Sequence, residues 1–341
     1  MRDELKKRDG ETLLQYRARL YRNKIALGFT NNKEVYDFYI SETGDNIAES
    51  SCRCSATTYN QAINDLLEEK NKNEGFDKSI LFMNDIHCPF EREDVLKIIQ
   101  EHSHEITTLV IGGDLMDCES ISSFPSIERK GLTEELIYTY NFMKKVRKIL
   151  NNNQKIIIIN GNHEERLHKV ISRMQEKELQ SFLNPNILEM LVDGFTIYKE
   201  GKKNKYEGIE GITYVPHWYV LIDDIVVCHP KDFSRVKGKM LENVASHFIN
   251  KGFDFSTIVF GHTHKASQGI IDRYENKYVV ENPCLCQPHS YSDCGKLGYS
   301  PQTYGYTIIR YNKGENVNPN NIKTYFLEEI VDITEGYKIK L

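Results

Sequence analysis

The spacing of apolar positions changes near residue 77. Before it they recur with helical period: Leu13, Leu14, Tyr16, Leu20 and Tyr21 predict one helix, and residues 31–40 a second with an asparagine available as N-cap. A turn at Thr43-Gly44-Asp45-Asn46 leads to a third helix predicted over about 47–67. The polar run 68–75 reads as a linker or frayed helix end, so a small helical domain is expected over 1–76 and a larger one over 77–341. Beyond the boundary, short runs at 79–83, 108–111, 155–159, 224–228 and 257–260, each apolar after its first residue, predict buried strands. A helix over 132–150, with Leu136, Tyr140, Met143 and Val146 on one face, should cover one sheet. Residues 165–200 form an insertion expected to rim any site at the strand ends. Strands near 278–281, 307–311 and 323–327 are expected to complete a second sheet.

Composition changes little. The 341 residues are 40% hydrophobic and 27% charged, ordinary values for a globular protein. A net charge of -5 argues against coating nucleic acid through overall charge, although the opening segment is locally basic. Helix, glycine-containing turn, then a helix carrying Ser50, Arg53, Ser55, Thr57 and Thr58 resembles a helix-turn-helix unit. The same pattern suits a structural cap or an oligomerisation arm. No apolar run approaches the ~18 residues that span a bilayer. The first residues carry no apolar signal region, and eight thinly spread cysteines do not form a disulfide framework, so a cytoplasmic protein is expected.

The chemistry lies where strands stop. The first run leads into Asp85-Ile86-His87, whose two polar side chains, two residues apart, face the same way in extended chain. The second leads into Gly112-Gly113-Asp114, the third into Gly161-Asn162-His163-Glu164, the fourth into His229-Pro230, and the fifth into Gly261-His262-Thr263-His264. One such residue alone is a cap or a turn. Five consecutive strand ends carrying Asp, His and Asn place metal-binding side chains where open α/β folds hold their ligands. The run Cys284-x-Cys286-x-x-His289, with Cys294 beyond it, has zinc-capable residues but no standard zinc spacing, and loop residues are expected there.

This ordered set resembles the calcineurin-like metallophosphoesterase superfamily over about 79–265. The resemblance implies an α/β fold of two facing mixed β-sheets flanked by helices, with two divalent ions at the strand ends. It implies that Asp85, His87 and His264 bind the first ion, that Asn162, His229 and His262 bind the second, and that Asp114 bridges both. His163 would contact the phosphate or protonate the leaving group. His229 fits its position better than His217 or His247 because it follows a strand directly.

Phosphate esters resist attack because their oxygens are anionic. Two divalent ions roughly 3.5–4 Å apart neutralise that charge and hold a hydroxide between them. The mixed nitrogen and oxygen donors select no single metal. Manganese or an iron–zinc pair is the first expectation from the resemblance, with nickel also possible. Protein phosphatases of the superfamily follow Gly-Asp with a pattern ending Asp-Arg-Gly; here Asp114 is followed by Leu115-Met116-Asp117, without arginine. Arg166 could be an anion clamp, but as an arginine on a helix it reads rather as a solvated or salt-bridged residue. The expected substrate is therefore a phosphodiester in DNA or RNA. Alternatives are a small phosphoester such as a cyclic nucleotide or a phosphomonoester, or a nucleic-acid-binding protein with an inactive metal site. No membrane partner is expected, and the oligomeric state is left open.

Overall fold

The structure, a computed structural model, describes residues 5–123, 129–180, 183–199, 201–236, 238–271, 277–288 and 302–328. The chain opens with three helices, α1 (Leu13–Arg22), α2 (Asn32–Thr43) and α3 (Glu49–Glu74). Thr12 and Gln15 form a reciprocal capping box on α1, and Asn31 caps α2 as its sequence suggests. Gly44 ends α2 in the left-handed conformation, φ 63°. The three pack on a core of their own formed by Tyr16, Leu20, Val35, Tyr39, Cys52 and Ala56. α3 continues to Glu74, so of the two expectations for the polar run, linker or helix end, the structure shows the helix end.

Two sheets follow. The first contains β1 (Lys78–Met83), β2 (Thr108–Ile111), β3 (Lys155–Ile159) and β6 (Ile212–Val215), mutually parallel, with β12 (Gly305–Tyr311) and β13 (Ile322–Phe326) antiparallel beyond β1. The second runs in the order β10 (Ser267–Ile271), β11 (Lys277–Glu281), β9 (Thr257–Phe260), β8 (Ile225–Cys228) and β7 (Tyr219–Ile222). A separate hairpin, β4 (Gly194–Lys199) with β5 (Lys202–Glu207), stands within the insertion. The strands expected near 307–311 and 323–327 thus join the first sheet, not the second. Ile309 pairs with Ile80 at the edge that β1 leaves open.

The alternation of each strand decides the layers. Ile80, Phe82, Val110 and Ile159 meet Ile225, Val227, Val259 and Val280 between the sheets. Their neighbours Leu81, Met83, Leu109 and Ile111 point outward onto α4 (Val95–His102) and α5 (Leu132–Ile149). On the other side Val226, Cys228, Ile258 and Phe260 pack under α9 (Lys239–Asn250). Helix, sheet, sheet, helix is the expected architecture. The insertion adds three short helices, α6 (Glu165–Ser172), α7 (Lys177–Gln180) and α8 (Glu189–Asp193). Among the described residues, no helix is long and apolar enough to cross a membrane.

Candidate metal centre

Parallel pairing of β1 with β2, β2 with β3, and β8 with β9 brings their C-terminal ends to shared sheet edges. The chain must then turn sharply to aim side chains back between the sheets. Asp85, His87, Asp114, His262 and His264 all adopt left-handed backbone, φ 51–83°. A non-glycine residue held there costs about 1–3 kcal/mol, and such strain gathers at functional sites. Main-chain bonds hold these turns: the His87 N–H donates to the Asp114 carbonyl at 2.9 Å and the Asp85 N–H to the Gly113 carbonyl at 3.2 Å. Gly113 is required by close approach, since a Cβ there would stand 2.4 Å from His229 Nδ1.

All seven residues expected as ligands converge. In one half, His264 Nε2 lies 3.4 Å from Asp85 Oδ1 and 3.3 Å from His87 Nε2, and His87 Nε2 lies 3.7 Å from Asp114 Oδ2. In the other half, His229 Nε2 lies 3.2 Å from both Asp114 Oδ2 and Asn162 Oδ1. Asp114, His229 and His262 each present a donor atom within 4.8 Å of the other two. Asp114 faces both halves. Of the histidines weighed for its position, His229 is fully buried in the cluster, His217 is exposed, and His247 packs on Trp218 from α9. The donor set suits borderline divalent ions: imidazole nitrogens and carboxylate oxygens come within 4.8 Å of one another in groups of three.

The charges show what the cluster does without ions. Burial would push both Asp85 and Asp114 up, but facing imidazoles override it: His264 holds Asp85 down at about 2, and His229 holds Asp114 well below the usual range. Burial would lower His229 and His264, yet Asp114 raises the first to about 10, and Cys284 with Asp85 raises the second to about 9. His262 goes the other way, to about 4, through burial and the neighbouring His229. Protons on two imidazoles balance two carboxylates, and divalent ions would displace them.

Behind the donors stand residues whose roles the sequence pattern did not reveal. Asp117 accepts from Nδ1 of His87 at 2.8 Å and lies 3.0 Å from Nδ1 of His163. The only sequence signal was its position three residues after Asp114. Buried Glu164 accepts from the Met116 N–H and the Gly161 N–H, both at 2.9 Å, tying two strand ends together. Burial and Asp114 push its carboxyl up to about 7. Arg166 is half-buried against the loop that carries Asp117. Its guanidinium donates to the Asp117 carbonyl at 2.8 Å and to His163 Nε2 at 2.9 Å. His163 Nε2 also lies 3.8 Å from Asp114 Oδ2. Burial opposes a proton on His163, as does Arg166, but Asp114 and Asp117 favour one, and the net shift is upward. Of the cysteine run, Cys284 and Cys286 are buried beside His264; His289 and Cys294 lie outside the described residues.

Comparison with curated proteins finds no match. Among solved structures, a wild-type Vps29 from Entamoeba histolytica complexed with zinc is 13% identical, covers 73% of this chain and 98% of its own, and has a TM-score of 0.34. A metallophosphoesterase from Sphaerobacter thermophilus is 12% identical over 74% of this chain and 89% of its own, with a TM-score of 0.35. Vacuolar Protein Sorting 29 from Cryptosporidium parvum is 10% identical over 74% and 97%, with a TM-score of 0.38. Scores this low add nothing to the family match. That match is to calcineurin-like phosphoesterase and spans residues 78–266, more than half of the sequence. The chain belongs to the calcineurin-like phosphoesterase family.

Proposed function

We propose that the protein is a metal-dependent phosphodiesterase acting on nucleic acid, with 77–341 as its catalytic domain and 1–76 as a module that positions the strand. The observation that carries the reading is Asp114, whose carboxylate faces two separate donor groups. One ion would be held by Asp85, His87, Asp114 and His264, the other by Asp114, Asn162, His229 and His262. When bound, the ions supply charge neutralisation of the phosphate and an acidified water. His163, held through Nδ1 by Asp117, would give a proton to the leaving oxygen from Nε2. A complete ligand set counts against an inactive site.

The N-terminal part of the proposal is supported by α3. Cys52 and Ala56 bury one face, while Arg53, Thr57 and Gln61 stay exposed beside Lys24 and Asn32 around a cavity of about 310 Å³. Such a polar face suits contacts to phosphates and base edges. The seven described cysteines are unpaired, in keeping with the cytoplasm.

A second reading, a small phosphomonoester as substrate, draws support from Arg166. A guanidinium beside His163 is placed to bind a terminal phosphate oxygen, the role that the sequence around Asp114 lacks. Purified protein with Mn²⁺ or Zn²⁺ is to be tested on bis(p-nitrophenyl) phosphate, p-nitrophenyl phosphate, cyclic nucleotides, and single- and double-stranded DNA and RNA. Nucleic-acid and diester cleavage is expected. Activity confined to p-nitrophenyl phosphate would overturn the first reading in favour of the second, and activity confined to cyclic nucleotides would overturn it in favour of a small cyclic diester. Unchanged nucleic-acid binding after deletion of 1–76 would remove the module's role.

A further inference from the structure

A thiol stands among the donors of the first half. Cys286 is fully buried, and its Sγ lies within 4.8 Å of one ring nitrogen each of His87 and His264, which lie equally close to each other. The sulfur lies 3.9 Å from His264 Nδ1. Gln302, also buried, places Nε2 3.3 Å from the sulfur and 2.8 Å from His264 Nδ1.

The backbone explains how the sulfur comes to be there. Past β11 the chain runs extended beside the loop that carries Asp85 and His87. The Leu285 N–H donates to the Asp85 carbonyl at 3.1 Å, and Cys286 bridges to Glu91. Leu285 points into the core under α4 and α5, so Cys284 and Cys286 must share the opposite side, toward Gln302 and His264. Register places the thiol on the side that faces His264, where it also packs in a small buried cluster with Cys284 and Tyr304.

We propose that Cys286 is a sulfur donor to the first ion and that this position is built for zinc or iron rather than manganese or magnesium. The inference rests on the two-ion reading given above. Thiolate is a soft donor: it strengthens binding of zinc and iron and adds little for the oxygen-seeking ions. On coordination the sulfur keeps its lone pairs for the metal, and the thiol proton passes to solvent. Neither the strand-end pattern nor its nitrogen and oxygen donors could have selected a metal; a sulfur does.

The test uses the full-length protein, stripped with a chelator and reloaded with Co²⁺ alone, with no phosphoester present. A near-ultraviolet thiolate-to-cobalt charge-transfer band is expected in the wild type and in Cys284→Ser, and is expected to be lost in Cys286→Ser while visible cobalt bands persist. Zinc-loaded wild type gives a readout that does not depend on any variant folding: X-ray absorption should show sulfur at about 2.3 Å. Bound cobalt without the band, no sulfur around zinc, or a band of equal strength in Cys286→Ser would each overturn the assignment and leave the two-ion reading standing. Failure to take up cobalt or zinc at all would overturn both.

Discussion

Asp117 Oδ1 lies 2.8 Å from Nδ1 of His87, which fixes the proton on that nitrogen and leaves Nε2 to face the other donors. The same carboxylate reaches Nδ1 of His163 at 3.0 Å. Burial would raise its pKa, but the two imidazoles hold it well below the usual range, so it stays ionised. Asp117→Asn keeps the shape and removes the charge. Loss of such an outer partner costs about 10–100-fold in metal affinity, and that drop is expected in a metal titration of the variant. Unchanged affinity would make Asp117 a support for His163 alone.

Glu164 works on the scaffold. Its two oxygens accept from Met116 on the β2 side and Gly161 on the β3 side, in a site with almost no solvent. Glutamine offers one acceptor and turns N–H groups toward a second donor. Leaving a buried donor unsatisfied costs about 1–3 kcal/mol, so Glu164→Gln should lower unfolding stability by that amount in urea at pH 8. An equally stable variant would show that the two strand ends hold together without the clamp.

These two residues mark the limit of what the sequence made legible. Strand ends were readable because apolar runs stop abruptly at Asp, His and Asn, and the first donors follow each stop directly. Asp117 and Cys286 act through tertiary contacts 30 and 22 residues away from His87 and His264, which no local spacing encodes. Arg166 stayed open between a clamp and a solvated helix residue for the same reason: its contact with the Asp117 carbonyl comes from a loop 49 residues away. Strand assignment failed differently. The run 305–311 carries the same apolar pattern whichever sheet receives it, and the open edge of β1 decides.

Without ions, stability should depend on pH through His229 and His264. Their pKa values rise from 6.5 to about 10 and about 9 in the folded chain. Groups raised on folding stabilise fully below the unfolded value and stop doing so as pH passes the folded one. The melting temperature of the metal-free protein should therefore fall between pH 7 and pH 10. In the same range metal binding should release protons, read as a buffer-dependent heat in calorimetry at pH 8. A flat melting temperature would mean that the two imidazoles are already neutral.

His163 and Arg166 make a pair with two exclusive states. Arg166 donates to Nε2 at 2.9 Å only while that nitrogen is unprotonated. Once a proton sits there the two N–H groups face each other, and Arg166 is freed to meet the phosphate. His163→Ala is expected to leave metal content near normal and cut turnover by about two orders of magnitude or more. Arg166→Ala is expected to raise KM more than it lowers kcat, because a phosphate clamp acts on the bound ground state as well. Equal losses in kcat for both variants, with KM unchanged, would assign Arg166 to holding the His163 ring instead.

Asp114 and Gly161 give the sharpest separation of chemistry from packing. Asp114 faces both halves, 3.7 Å from His87 Nε2 and 3.2 Å from His229 Nε2, and Asp114→Asn replaces its second oxygen with an amide that repels a cation. That variant should fold and lose both ions, whereas retention of one would place the bridge elsewhere. Gly161 supplies a variant that changes no donor residue and acts through packing alone. A Cβ there would stand 2.0 Å from Asp114 Oδ1 and 2.2 Å from its backbone nitrogen, so Gly161→Ala must push the Asp114 turn away. The His163 N–H to Asp114 Oδ1 bond, 3.0 Å long, would break with it. Overpacking of this kind costs about 1–3 kcal/mol, so Gly161→Ala is expected to lose stability as well as metal. If it kept both ions and full stability, the turn would be softer than its left-handed backbone implies, and the geometry at Asp114 would owe less to strain than to the ions themselves.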